Sequence, residues 1–211
     1  MGAISSGGER GGLWASLARG PVYDAVQVVA GAAESRRRVV AELQLRPGDW
    51  LLDLGCGTGE IVAHLPEGVR YVGLDISLSC LFYGHRRWAE RASFLAATAQ
   101  AIPFATAGCF DHVVVAGVLH HLDDEAARGL LSFAWQALRP GGRVVCGDPV
   151  AYRGQRPLRR LMVRLDRGRH VRTPEGYSAL LSAVFGTARG RVDDDAFRIP
   201  FSWYIQDARK D

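Results

Sequence analysis

The sequence predicts a single α/β domain with a largely parallel sheet covered by helices, and three observations lead there. Short β-type runs alternate along the chain with longer helical patterns, as in strand–helix–strand units. The run VVVA at 113–116 is unbroken rather than alternating, which suits a strand buried on both faces. Finally, 211 residues at 48% apolar composition fit one compact domain, with no composition shift to mark two.

Residues 1–13 begin MGAISSGGERGG, which lacks the apolar core of a signal peptide and reads as a flexible tail. Residues 14–45 read as a helical lid: Pro21 can open a helix, and ESRRRVVAELQL continues with apolar residues at helical spacing. RPGDW breaks that pattern and launches the first strand, Trp50–Leu54, followed by a short helix at about Glu60–Leu65. The second strand is Tyr71–Asp75, and Ser77 can cap the helix after it, which runs to about Ala89.

Ser93–Ala96 is a short third strand and Asp111–Ala116 the fourth. A helix from Asp123 to Leu138 is expected to stop at Pro140-Gly141-Gly142, ahead of a fifth strand, Arg143–Asp148. An arginine-rich insertion, 152–172, reads as partly helical. Thr173-Pro174 then caps and opens another helix, and two strands joined around Pro200 complete the domain, which spans 14–211.

Four cysteines, Cys56, Cys80, Cys109 and Cys146, are spread without metal-type spacing. A reducing cytoplasm is the simpler expectation than disulfides. No apolar run approaches the roughly 20 residues that span a bilayer. The net charge of +4 is uneven: the insertion holds eight arginines against one acid, Asp166. Attraction for an anionic partner is therefore expected to be local to that segment. No cluster of His, Cys and carboxylates has a convincing ligand spacing, so no metal is expected.

LLDLGCGTGE follows the first strand and opens a helix. Gly55, Gly57 and Gly59 allow a tight turn that a ligand can approach closely, and the helix's first N–H groups favour polar acceptors. Twenty residues after Gly55, Asp75 ends the next strand, where a carboxylate can accept hydrogen bonds from both ribose hydroxyls. The dinucleotide pattern G-x-G-x-x-G is not met, because Glu60 stands at its third glycine position.

DLGCGTG with LDIS downstream resembles the cofactor motifs of class I S-adenosylmethionine (SAM)-dependent methyltransferases, in the small-molecule, type 11-like branch. The resemblance continues through AIPF at 101–104, FDHVVVAGVLHHL at 110–122 and LRPGGRVV at 138–145. It implies a Rossmann-like sheet of seven strands, helices on both faces, and the last strand antiparallel. It implies SAM as cofactor and S-adenosylhomocysteine as product. Asp53 and Gly55 would lie near the methionine part, Gly57 and Gly59 would shape the turn, Asp75 would hold the ribose, and Ile76 would pack on adenine. Where relatives often carry an aspartate for the adenine amine, this sequence has Thr98, with the backbone of Ala99 beside it.

Methyl transfer from a sulfonium needs an in-line nucleophile and, for some acceptors, removal of a proton. His120 and His121 follow the fourth strand, where an imidazole can accept a proton near neutral pH, or can simply cap the next helix. Asp148 can hold an acceptor amine or hydroxyl, or open the turn with Pro149. Tyr23 is a candidate lid residue or a packing tyrosine. Arg169 and Arg172, in an irregular stretch, are candidates for an anionic acceptor group, whereas LRRLMVRL reads as a solvated amphipathic helix.

A small-molecule acceptor is the leading expectation, an anionic metabolite among them. The alternatives are a nucleic-acid methyltransferase, which GVLHHL in place of an N-P-P-Y-type element speaks against, and non-methylating chemistry such as cyclisation on the same fold. The sequence is silent on oligomeric state.

Overall fold

The computed structural model describes residues 31–97, 108–166 and 168–211. Of the sequence candidates, Tyr23, Thr98 and Ala99 lie outside the described residues, as do the tail 1–13 and the first part of the expected lid.

Seven strands form one sheet in the order β3-β2-β1-β4-β5-β7-β6. They are β1 (Trp50–Leu54), β2 (Arg70–Asp75), β3 (Ala92–Ala96), β4 (Phe110–Ala116), β5 (Leu138–Pro149), β6 (Arg189–Asp193) and β7 (Trp203–Arg209). The first five are mutually parallel, and β7 runs antiparallel to both of its neighbours, β5 and β6. The described helices are α1 (Ala32–Leu43), α2 (Leu78–Trp88), α3 (Asp124–Ala137), α4 (Pro157–Arg164) and α5 (Pro174–Phe185). The expected helix after β1 is a 3₁₀ segment, Glu60–His64, and a second such segment spans Leu119–His121.

Neighbouring strand residues feed opposite layers, as the pleat requires. Leu52, Val113, Val115 and Val144 pack under α3 and α5 with Leu131, Tyr177 and Leu181. Leu51, Val114 and Val145 pack on the other face with Val39, Val40 and Leu43 of α1. The described part of the expected lid is therefore a layer helix lying on the sheet. The caps fall where side chains can accept: Ser77, Asp123 and Thr173 take N–H groups at the starts of α2, α3 and α5. None of the described helices is long and apolar enough to cross a membrane.

One boundary differs from expectation. Helix α3 hands over directly to β5 at Leu138, and Pro140-Gly141-Gly142 lie inside the strand rather than before it. The register against β4 shifts between Phe110 and His112, so the extra residues are absorbed as an irregularity. Pairing with the C-terminal end of β7 holds the segment extended: Gly141 N–H donates to Lys210 O at 2.7 Å and Lys210 N–H to Gly142 O at 2.9 Å.

The chain runs from β1 outward to β3, then returns to β4 on the other side of β1. That reversal opens a crevice at the carboxyl ends of β1 and β4, the place where sheets of this kind bind ligands.

Candidate active site

The glycine turn after β1 is tied to β2, because Gly55 and Cys56 both donate their N–H groups to Leu74 O, at 2.8 and 3.0 Å. Gly55, Gly57 and Gly59 all have positive φ, at 78°, 54° and 71°. Their reasons differ. A Cβ on Gly55 would stand 2.4 Å from the Val118 side chain, so this glycine makes room for the segment leaving β4. A Cβ on Gly57 would meet nothing within 4 Å, so the middle of the turn faces open space.

Asp75 stands at the edge of that space. Its Oδ2 accepts from Gly57 N–H at 2.8 Å and its Oδ1 from Ser77 N–H at 2.8 Å. Two backbone donors hold the carboxylate square, and each oxygen keeps a further lone-pair direction for an incoming hydroxyl. Beside it Ile76 is 75% exposed, an aliphatic side chain left uncovered next to a polar site. An open turn, a clamped carboxylate and an uncovered apolar side chain fit a nucleoside cofactor: backbone for the tail, acceptors for the ribose, Ile76 for the base.

Asp53 is buried, and the Tyr71 hydroxyl donates to its Oδ2 at 2.8 Å. Burial pushes its pKa up to about 7, with the Tyr71 hydrogen bond opposing and the nearby Asp75 charge adding to the rise. Burial likewise raises the Cys56 thiol, which leaves that cysteine protonated and inert. Tyr71 read from sequence only as a strand residue. No local signal marks a strand tyrosine as the partner of an aspartate on the neighbouring strand.

Past β4, Gly117 N–H donates to Gly147 O at 2.7 Å, and Val118 then rests on the turn. His120 is buried between two carboxylates. Its Nδ1 lies 2.7 Å from Asp148 Oδ1, and its Nε2 lies 3.3 Å from Asp166 Oδ1. Burial works against charge on the ring, but the hydrogen bonds to Asp148 and Asp166 outweigh it and push the pKa up to about 9. At neutral pH His120 is thus an imidazolium that already holds both protons and has none to accept. The base role expected of it does not suit this setting. His121 is exposed, its ring centroid 3.9 Å from that of His120.

Asp148, a candidate for acceptor binding, is instead turned to His120, accepting from that residue's backbone N–H as well, at 3.2 Å. Asp166 is the functional neighbour that sequence reasoning missed, since one acid among eight arginines carries no sign of which way it faces. Burial raises its pKa, but hydrogen bonds from His120 and from Gly168 N–H overcome that and hold the carboxyl below its usual value.

The two arginine candidates part company. Arg172 donates to Leu119 O and Leu122 O at 2.8 Å each, to His170 O at 3.0 Å, and to Asp124 Oδ1 at 2.8 and 3.0 Å. It is a brace for the segment after β4, with its donors committed. Arg169 is exposed, without an ion-pair partner among the described residues. Arg159, expected on a solvated face, binds Asp194 O and Phe201 O and anchors α4 to the loop before β7.

Comparison with known proteins turns up methyltransferases. Residues 51–142 match the family model described as a methyltransferase domain. Demethylmenaquinone methyltransferase of Symbiobacterium thermophilum is 31% identical over 59% of this chain and 53% of its own length. Phosphoethanolamine N-methyltransferase 1 of Arabidopsis thaliana is 30% identical over 57% of this chain and 25% of its own. The chain thus spans about half the length of the first relative and less of the second. Among solved structures, the pyocyanin biosynthetic protein PhzM shares the fold with a TM-score of 0.74 at 22% identity, over 95% of this chain and 62% of that one. The sheet order, the turn and the match of residues 51–142 to a methyltransferase domain together make this chain similar to class I SAM-dependent methyltransferases.

Proposed function

We propose that the chain transfers a methyl group from SAM to a small-molecule acceptor by direct in-line displacement. The observation that carries this reading is the clamped Asp75 carboxylate facing the open Gly57 turn. The cofactor supplies a methyl group already activated on a sulfonium. The protein's share is to hold donor and acceptor in line and to keep water out. Bound SAM would supply the methyl group with its thioether as leaving group, and the chain's own share would then include taking up the proton that the acceptor loses. His121, exposed beside the crevice, stays the candidate to receive that proton, because His120 is already charged.

The acceptor in this reading carries an anionic group. Arg153, Arg156, Arg160, Arg164 and Arg169 form no ion pair among the described residues. A relative named for phosphoethanolamine acts on a molecule that bears a phosphate. Arg169, exposed and next to Gly168 on the His120 ring, is the preferred contact residue. Free thiols at Cys56, Cys80, Cys109 and Cys146 suit work in a reducing cytoplasm.

Calorimetry with S-adenosylhomocysteine tests the cofactor half, and transfer from labelled SAM to a panel of carboxylate and phosphate acceptors tests the rest. Asp75→Ala should weaken S-adenosylhomocysteine by about 2 kcal/mol, the range for charge-assisted hydrogen bonds. Unchanged affinity in a folded variant removes Asp75 from the site.

A further inference from the structure

The segment leaving β4 and the connector after α4 (described at 165–166 and 168–172) are stitched together by contacts of two kinds. Some are indifferent to pH. His170 N–H donates to His120 O at 2.9 Å, and Arg172 donates to Leu119 O and Leu122 O. Gly168 lies flat on the His120 ring, where a Cβ would stand 2.2 Å from Cδ2. The other contact is ionic, His120 between Asp148 and Asp166. Both ring nitrogens face carboxylate oxygens, which only accept, so both nitrogens must donate. Of the forms of histidine, only the imidazolium has two N–H groups.

We propose that Asp166 is a positioning residue: acting through His120, it fastens the described connector residues, 165–166 and 168–172, over the carboxyl ends of β4 and β5 and so sets the wall that faces the acceptor. What the wall is for rests on the methyl-transfer reading; the fastening rests on the contacts alone. Asp148 and Asp166 are joined to different elements, β5 and the connector, so one protonated ring links three parts of the chain. Asp166 also takes Gly168 N–H at 2.8 Å, which bends the connector so that Gly168 meets the ring.

Titratable and charged groups face His120 from several elements. Asp148 comes from β5, Asp166, His170 and Arg172 from the connector, and His121 from the same turn. Arg172 acts on Asp148 and is itself engaged by Asp124 at the start of α3, while Tyr177 of α5 feels both carboxylates. The folded pKa of His120, about 9, lies above the ordinary value of about 6.5. The fastening is therefore in place near pH 6.5, persists through neutrality, and is lost as the pH rises through about 9. In acid it is lost again as the carboxylates take up protons, Asp148 first because burial raises its pKa.

Hydrogen exchange on the full chain, read at the amides of Gly168 and His170 and corrected for intrinsic rates, tests this. In the unaltered protein, protection should hold to about pH 8 and fall through about 9. Asp166→Asn should lose about tenfold in protection at pH 7 and abolish the pH step, while Asp166→Glu restores part of both. S-adenosylhomocysteine affinity should stay within about twofold in each variant. Wild-type protection at pH 7 in Asp166→Asn overturns the proposal, as does a step that survives it or a Glu variant that restores nothing. Should the Asn variant not fold, absence of the pH step in the unaltered protein overturns it alone. Failure of S-adenosylhomocysteine to bind the unaltered protein would instead strike the methyl-transfer reading, leaving the exchange result to judge the fastening.

Discussion

At the carboxyl end of β1, the turn leaves the Gly57 face open, Asp75 with unused lone pairs, and Ile76 uncovered. At the carboxyl end of β4, a few residues away, His120 is engaged by Asp148 and Asp166, and Arg172 by the carbonyls of Leu119, Leu122 and His170. One side of the crevice leaves polar and apolar groups uncovered, while the other mostly holds its own backbone in place. Charged residues beside a crevice therefore say little about ligand contact until their partners are counted. Arg172 and Asp148 look like binding residues from sequence, yet the donors of Arg172 and Oδ1 of Asp148 go to holding up the segment after β4. Asp148 Oδ2 is buried with no hydrogen-bond partner among the described residues.

This contrast can be broken at several points. The largest effect should come from Gly55→Ala, where the two sides touch. The added Cβ meets Val118 at 2.4 Å, and φ of 78° strains any L side chain. Together these should cost about 3 kcal/mol of stability, read as a lower urea midpoint with unchanged slope. Gly57→Ala, with the same kind of φ and open space, should lose only about 1 kcal/mol while still obstructing the cofactor. Equal losses for the two would mean that Val118 yields and the turn is not wedged.

Next comes Arg172→Met, which should cost about 2 kcal/mol, because the carbonyls of Leu119, Leu122 and His170 lose their donor. S-adenosylhomocysteine binding should survive in the folded fraction. A variant as stable as the parent, with only acceptor KM raised, would return Arg172 to the list of contact residues. The smallest effect belongs to Arg169→Ala, whose stability should stay within about 0.5 kcal/mol, as for other exposed sites. Its acceptor KM should rise while SAM affinity stays put, and unchanged acceptor kinetics would end its candidacy.

Most of the geometry around the glycine turn could be read from the chain because its signals are local. Three glycines within five residues after an apolar run dictate a turn, and Asp75 is placed by the length of one strand–helix–strand unit. The arrangement after β4 depends on pairings between residues far apart in sequence. His120 finds Asp148 only because β5 lies beside β4, and Asp166 only because the connector folds back over both. The early start of β5 was hidden for a related reason. Proline and two glycines are turn signals by themselves, and only the pairing of this segment with the end of β7 keeps it extended.

The hydrogen bond between Tyr71 and Asp53 carries a consequence for proton counting. With a pKa of about 7, Asp53 is not a fixed charge but a buffer group beneath the turn, and it already senses the charge of Asp75. A cation arriving at the turn must be sensed in the same way, drawing the carboxyl toward its ionised form and expelling part of a proton. A sulfonium is such a cation, and the thioether it becomes after losing its methyl group is not. Donor and product should therefore leave different numbers of protons on the protein near neutrality. Calorimetry of each in two buffers of unlike ionisation enthalpy should show an uptake-and-release term for one and little for the other. Tyr71→Phe, which removes the hydrogen bond holding the pKa down, should move that term to higher pH.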